Sequence, residues 1–219
     1  MFHVKHFVCI LLLLPFFALS QGSISMKDKV VSYPLKEDIS LRQSLISSSS
    51  YNSLTSEEQQ VLYYMNYARK NPSLFLTNAI DVFLTAHPEV VSNYTRSLQT
   101  EFKKLTSLPI ILPDAVLSNV SRGHAKDLGS HNVISHTSTN GKTFQQRVQS
   151  YVKECASECI HATQRFDAVE CILSLLFDFN VPDLGHRKTL LNPKYSVAGL
   201  GLFSKPQANT VVVIDFSCK

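Results

Sequence analysis

The chain has 219 residues, 44% of them hydrophobic and 17% charged, with a formal net charge of +4. That balance excludes an acidic disordered tail and a low-complexity polymer, and it predicts a folded unit of one domain or two small ones. Lys and Arg are scattered, with no basic run denser than Phe102-Lys103-Lys104, so no nucleic-acid partner is expected.

Residues 1–20 read as a secretory signal peptide. Lys5 opens a short basic start, Val8 to Leu19 is almost wholly apolar, and Ala18 and Ser20 supply the small residues of a cleavage site. The apolar run is too short for the roughly 20 residues of a membrane-spanning helix, and no later stretch approaches that length, so no transmembrane span is expected. Cleavage removes Lys5 and leaves 20 basic residues (21 less one) against 17 acidic, a mature charge of +3. It also removes Cys9 and leaves Cys155, Cys159, Cys171 and Cys218. An even number in an oxidising compartment predicts two disulfides, with all three pairings open and Cys155 and Cys159 close enough to compete. Zinc on Cys-x3-Cys is the alternative, a minority case outside the cell. Asn93-Tyr94-Thr95 and Asn119-Val120-Ser121 are glycosylation sequons.

Residues 21–53 are rich in serine and lack a sustained apolar period, which predicts a leader or linker, with the folded domain spanning 54–219. Thr55 and Glu58 have capping-box spacing before a helix whose face is Val61, Leu62, Met65 and Ala68 and which Pro72 limits. Further helices are expected over Leu74–Thr85 and Tyr94–Leu105. Leu108 to Leu112, bounded by Pro109 and Pro113, is a strand or an extended connection. Asp114 can cap a helix over Ala115–His131, with Leu117, Val120, His124 and Leu128 in one arc and Asn119 facing solvent. After a polar loop at Thr137–Lys142, Phe144–Val152 is expected to contain a short helix, and Asp167–Phe179 to form the most apolar helix of the chain. Val197–Phe203 and Thr210–Phe216 read as strands joined by a turn. Helices followed by paired strands suggest a layered α/β sandwich.

Isolated motifs carry little. Walker, dinucleotide, His-Glu-x-x-His and Gly-x-Ser-x-Gly patterns are missing from the sequence. Ser135 and His136 are adjacent, and neighbours on an extended chain point to opposite faces. His124, on the buried arc of its helix, reads as a satisfied core histidine.

Several segments in order carry more. Asn66 and Arg69, Leu108-Pro109, His124-Ala125-Lys126-Asp127-Leu128, Ile134-Ser135-His136-Thr137, Gly141 and Arg147 come first. Gly185-His186-Arg187 with Asn192, and then Gly199-Leu200-Gly201, follow. This succession resembles the CAP domain of cysteine-rich secretory, antigen 5 and pathogenesis-related proteins over about Leu54 to Cys218. The resemblance implies an α/β fold, a three-layer α-β-α sandwich, with a cleft holding two histidines and two acids. By motif position these are His136, Glu158, Asp178 and His186. Departures are the lack of Trp and Cys159 where the family has Asn after the cleft Glu.

Two imidazoles from distant segments can bind zinc or another divalent cation with carboxylates behind them; the same four groups can equally form a hydrogen-bonded support for the cleft. Arg147 and Arg187 read as pinning residues. The resemblance implies a secreted, non-enzymatic protein binding a sterol, a fatty acid or an extracellular protein partner. The rivals are a metal-dependent hydrolase with Glu158 as general base, and an effector or toxin acting through surface loops.

Overall fold

The computed structural model describes residues 29–152, 155–206 and 208–218; the signal peptide, and with it Cys9, lies outside these. The serine-rich segment differs from expectation, because its described part folds onto the domain. Helix α1 (Ile39–Ile46) is capped by Asp38, whose carboxylate accepts the Leu41 N–H, and it buries Leu41 and Leu45 completely. Composition hid this pair. Two leucines four residues apart give a one-sided apolar contact without a long periodic run. Asp38 also accepts from Asn71 at 2.8 Å and pairs with Lys70 at 2.9 Å, tying this segment to the end of helix α2 (Ser56–Lys70).

Helix α2 starts at the expected capping box: Glu58 Oε2 accepts the Thr55 N–H at 2.9 Å, and Thr55 accepts from Glu58 N. After Pro72 come α3 (Pro72–Phe75), one π turn over Leu76–Ile80 and α4 (Asp81–Ala86). Helix α5 (Asn93–Phe102) buries Leu98 and Phe102. The Leu108–Leu112 segment contributes only strand β1 (Leu112–Pro113). Helix α6 (Ala115–His131) has the predicted bounds, with Asp114 accepting from Val116 and Leu117 and Asn132 closing it in the left-handed conformation. Helix α7 (Phe144–Val148) is shorter than its predicted window. Strand β2 (Ala156–Thr163), helix α8 (Ala168–Phe177), helix α9 (Gly185–Leu190), strand β3 (Val197–Phe203) and strand β4 (Thr210–Ser217) complete the order.

The sheet runs β1-β3-β4-β2, with β1 parallel to β3 and the other pairs antiparallel. Strand alternation divides the residues between two faces. Cys159, Ala198, Leu200, Val212, Ile214 and Phe216 join a large core with α1, α2 and α8. The other face carries Ile160, Val211 and Val213 against Ala125 and Leu128 of α6. Helices therefore cover both faces, which gives the α-β-α sandwich. Helix α6 approaches β3 so closely that a Cβ on Gly199 would lie 2.2 Å from the Leu117 carbonyl carbon, and one on Gly201 2.2 Å from the Arg122 nitrogen. Only glycine fits at either position.

The cysteine expectation needs correction. Cys155 and Cys218 form a disulfide with Cα atoms 5.4 Å apart, whereas Cys159 and Cys171 are buried free thiols. Register explains the pairing: Ala156 of β2 faces Ser217 of β4, so the next residues outward meet. Cys159 lies inside the strand and points into the apolar core, out of reach of Cys155.

Candidate functional site

Glu158 sits in the edge strand β2 with its side chain on the α6 face, 1% exposed. His136, on the loop after α6, donates through Nδ1 to Glu158 Oε1 at 2.8 Å. Arg147, from α7, donates to the other oxygen at 2.5 Å and also to the carbonyls of His136 and Lys142. The guanidinium thus fixes both the acid and the loop that presents the imidazole. Burial alone would push the Glu158 carboxyl up, but the His136 bond and the Arg147 charge outweigh it and hold the group below its usual range.

His124 closes this cluster from α6. Its Nε2 donates to the Ser135 carbonyl at 2.9 Å, and its Nδ1 accepts from the Ser138 hydroxyl at 3.1 Å. With both nitrogens engaged it is a neutral core histidine, as its place on the helix predicted. Burial pushes its pKa down.

Asp215 of β4, directly across from Glu158, was not picked out by sequence reading. It is fully buried and accepts from Ser121 Oγ at 2.8 Å through Oδ2, while Oδ1 has no partner. Burial and the adjacent Glu158 charge push its carboxyl well up. The two facing acids are thus pushed in opposite directions, Glu158 toward the carboxylate and Asp215 toward the protonated acid. The available signal was an acid inside the apolar run Thr210–Phe216, at the same parity as Val211 and Val213.

The second pair is built differently. Asp178 closes α8 at φ 56°, and its Oδ1 accepts from His186 Nδ1 at 2.6 Å. Oδ2 accepts the backbone N–H groups of His186 and Arg187 at 2.9 and 3.2 Å. Asp178, Asn180 and Leu184 all have φ between 54° and 62°, a costly clustering for residues with a Cβ that concentrates at functional segments. Arg187, 1% exposed, holds the turn by donating to the carbonyls of Leu176, Phe177 and Tyr94. Arg69 similarly donates to the carbonyls of Pro109, Leu190 and Asn192, and burial lowers its pKa to about 10.

The four predicted cleft residues are thus two acid–imidazole pairs. Helix α9, with the His186 carbonyl near Cys159 Sγ at 3.9 Å and Thr189 bonded to Ser157, lies on the opposite side of β2 from Glu158. His161, on the α9 side of β2, is buried, and burial together with the nearby His186 lowers its pKa to about 4. Among the described residues no group of three or more His, Cys, Asp and Glu is arranged to hold a metal ion. The donor set nonetheless fits one by its chemistry. A carboxylate on Nδ1 fixes the tautomer and leaves the Nε2 lone pair of each imidazole for a cation. Asn93 and Asn119, the two sequon residues, are exposed.

A model of the cysteine-rich secretory protein family, CAP, matches residues 62–216. Among solved structures, an extracellular protein containing an SCP domain from Bacillus anthracis str. Ames is 24% identical, with a TM-score of 0.48. That match covers 74% of this chain and 40% of the other, so the chain spans well under half of that protein. An outer surface protein of Borrelia burgdorferi is 22% identical over 57% of this chain and 90% of its own, with a TM-score of 0.41. A cysteine-rich secretory protein of Staphylococcus aureus is 15% identical over 57% of this chain and 36% of its own, with a TM-score of 0.37. No curated protein matches the chain.

Proposed function

The chain belongs to the CAP family, and from that premise we propose a secreted, non-enzymatic binding protein whose acid-held imidazoles, His136 and His186, take up a divalent cation such as zinc. The observation that carries this reading is the pair of Nδ1–carboxylate bonds, at 2.8 and 2.6 Å, which leave the Nε2 lone pair of each imidazole for ligation. Bound, the ion supplies Lewis acidity; His136 and His186 would hold it, and Glu158 and Asp178 orient them.

Secretion is supported by the leader and by the Cys155–Cys218 disulfide, a bond that persists in oxidising compartments. No helix among the described residues is long and apolar enough to cross a membrane. The exposure of Asn93 and Asn119 supports glycan attachment at both.

Glu158 is a poor candidate for a hydrolase base. Both its oxygens are occupied and its basicity is lowered by Arg147 and His136. A sterol or fatty acid has less behind it than a cation. One largely apolar pocket among the described residues, lined by Val116, Leu117, Tyr151, Val152 and Val197, holds about 150 Å³, below the roughly 300–1,000 Å³ of small-molecule sites.

Zinc titration calorimetry on the secreted chain tests the proposal. Binding is expected in the wild type, lost in His136→Ala and in His186→Ala, and kept in His124→Ala with a lowered Tm. Undiminished binding in either of the first two variants overturns it.

A further inference from the structure

Helices α6 and α7 and the loop between them line an open polar groove of about 440 Å³. Its lining includes Gly123, Asp127, Asn140, Lys142, Gln146 and Arg147. Gly123 stands in the middle of a 17-residue helix, where glycine is unfavourable. Unlike Gly199 and Gly201, it is not demanded by packing: a Cβ there would meet nothing within 4 Å. A helix-weakening residue without a protein neighbour keeps the groove wall low, as close approach of a ligand to the backbone requires.

Two amides of the groove have their acceptor oxygens occupied. Asn140 Oδ1 is taken by the Lys142 N–H at 3.1 Å and Gln146 Oε1 by the Thr143 N–H at 2.9 Å. Because those partners can only donate, each amide keeps its NH2 for another molecule. Asp127 accepts from the Thr139 backbone N–H and hydroxyl, at 2.8 and 2.5 Å, one on each oxygen, and keeps acceptor capacity on both. Lys142 adds a further donor. Arg147, whose side chain is 8% exposed, has a buried Nε with no partner. The groove thus offers the NH2 groups of Asn140 and Gln146 and the Lys142 ammonium as donors, with the Asp127 carboxylate in the same lining.

We propose that the α6–α7 groove is a binding site for a small oxygen-rich anion, a sugar acid or sugar phosphate in size and chemistry, seated over Gly123 and bonded by Asn140, Lys142 and Gln146. Oxyanion oxygens match the amide and ammonium donors of this lining, charge assistance from Lys142 strengthens those bonds, and sugar hydroxyls can donate to Asp127. The site stands independently of the cation reading, since none of its donors is His136 or His186.

The test is calorimetric titration of the secreted full chain with glucuronate, glucose 6-phosphate and glucose. A glycan on Asn119 would stand at the rim of the groove, so N-linked sugar is first removed enzymatically. Binding of glucuronate or glucose 6-phosphate, with glucose at least tenfold weaker, is expected; whichever anion binds tells carboxylate from phosphate. Lys142→Ala should weaken it at least fivefold. Gly123→Ala should raise Tm by improving the helix while weakening the anion, a pairing that a purely structural glycine would not give, and Gly123→Val should abolish binding in a folded protein. Equal binding of glucose, no anion binding up to 10 mM, or unchanged affinity in Gly123→Val would overturn the proposal.

Discussion

On the face of the sheet covered by α8, strand side chains meet an almost continuous apolar layer from α1, α2 and α8. On the face covered by α6, the apolar contacts shrink to small clusters, the backbone closes over Gly199 and Gly201, and the space beside them holds Glu158, Asp215, Ser121 and His124. The first face is stabilised chiefly by area removed from water. The second is stabilised by close backbone contact and by a charge network that must be satisfied as a whole. The two imidazole pairs repeat the contrast. Glu158 is held by a guanidinium and an imidazole, Asp178 by an imidazole and two backbone N–H groups.

The largest break in this comparison should come from Gly201→Val. A side chain there overlaps the α6 backbone, so α6 must leave the sheet, and the loss is expected to be on the order of 4 kcal/mol or more. Ile172→Ala on the other face opens a cavity and should cost about 2–5 kcal/mol while leaving a cooperative transition. Urea unfolding followed by circular dichroism checks both. A Gly201→Val protein as stable as wild type would refute the close-contact account of the α6 face.

Arg147→Ala comes next. It leaves Glu158 buried beside Asp215 without its cation, and about 3 kcal/mol is expected to be lost. Glu158→Gln in the same chain should recover part of the loss. No recovery in the double variant, measured by the same unfolding curves, would show that Arg147 acts through the loop and not through the acid.

Cys155→Ser with Cys218→Ser should lower stability by about 2–4 kcal/mol through the unfolded state. Thiol titration of denatured wild type is expected to find two thiols, Cys159 and Cys171, from the mature chain. Zero thiols would restore the two-bridge reading of the sequence.

The smallest effect is expected from Asp215→Asn. The folded-state pKa of Asp215 is raised, so its folded form is favoured only while it is protonated. Its contribution is fully present below the unfolded value, about 3.9, and is lost as pH rises toward the folded value. Glu158 has the opposite sign. Its folded pKa is lowered, so its stabilisation is present above the unfolded value and lost as pH falls. Asparagine keeps an acceptor for Ser121 and removes the ionisation penalty. At pH 7 the variant should be more stable by on the order of 1 kcal/mol through the lost ionisation penalty, and the gain should vanish below pH 4. A gain that persists at pH 3 in thermal melts would rule out this linkage.

Much of the helical framework was legible because helices announce themselves locally. The bounds of α6 and its Asp114 cap, the α2 capping box and the apolar α8 all follow from residues three or four apart. Strand β2 was not legible. Ser157, Glu158, His161 and Thr163 interrupt the apolar pattern, because an edge strand carrying the site trades β-type side chains for chemistry. Of the site, the sequence order of motifs pointed to His136, Glu158, Asp178 and His186, and the structure pairs them as two acid-held imidazoles.

By itself the sequence determined the family, the helix faces and the C-terminal strands. Tertiary structure alone decided that Cys155 meets Cys218, that Asp215 stands opposite Glu158 and that α1 belongs to the core. Each of these depends on antiparallel register or helix docking between segments far apart in the chain. Local periodicity reports which side of its own element a residue faces, and is silent on which residue of another element stands opposite.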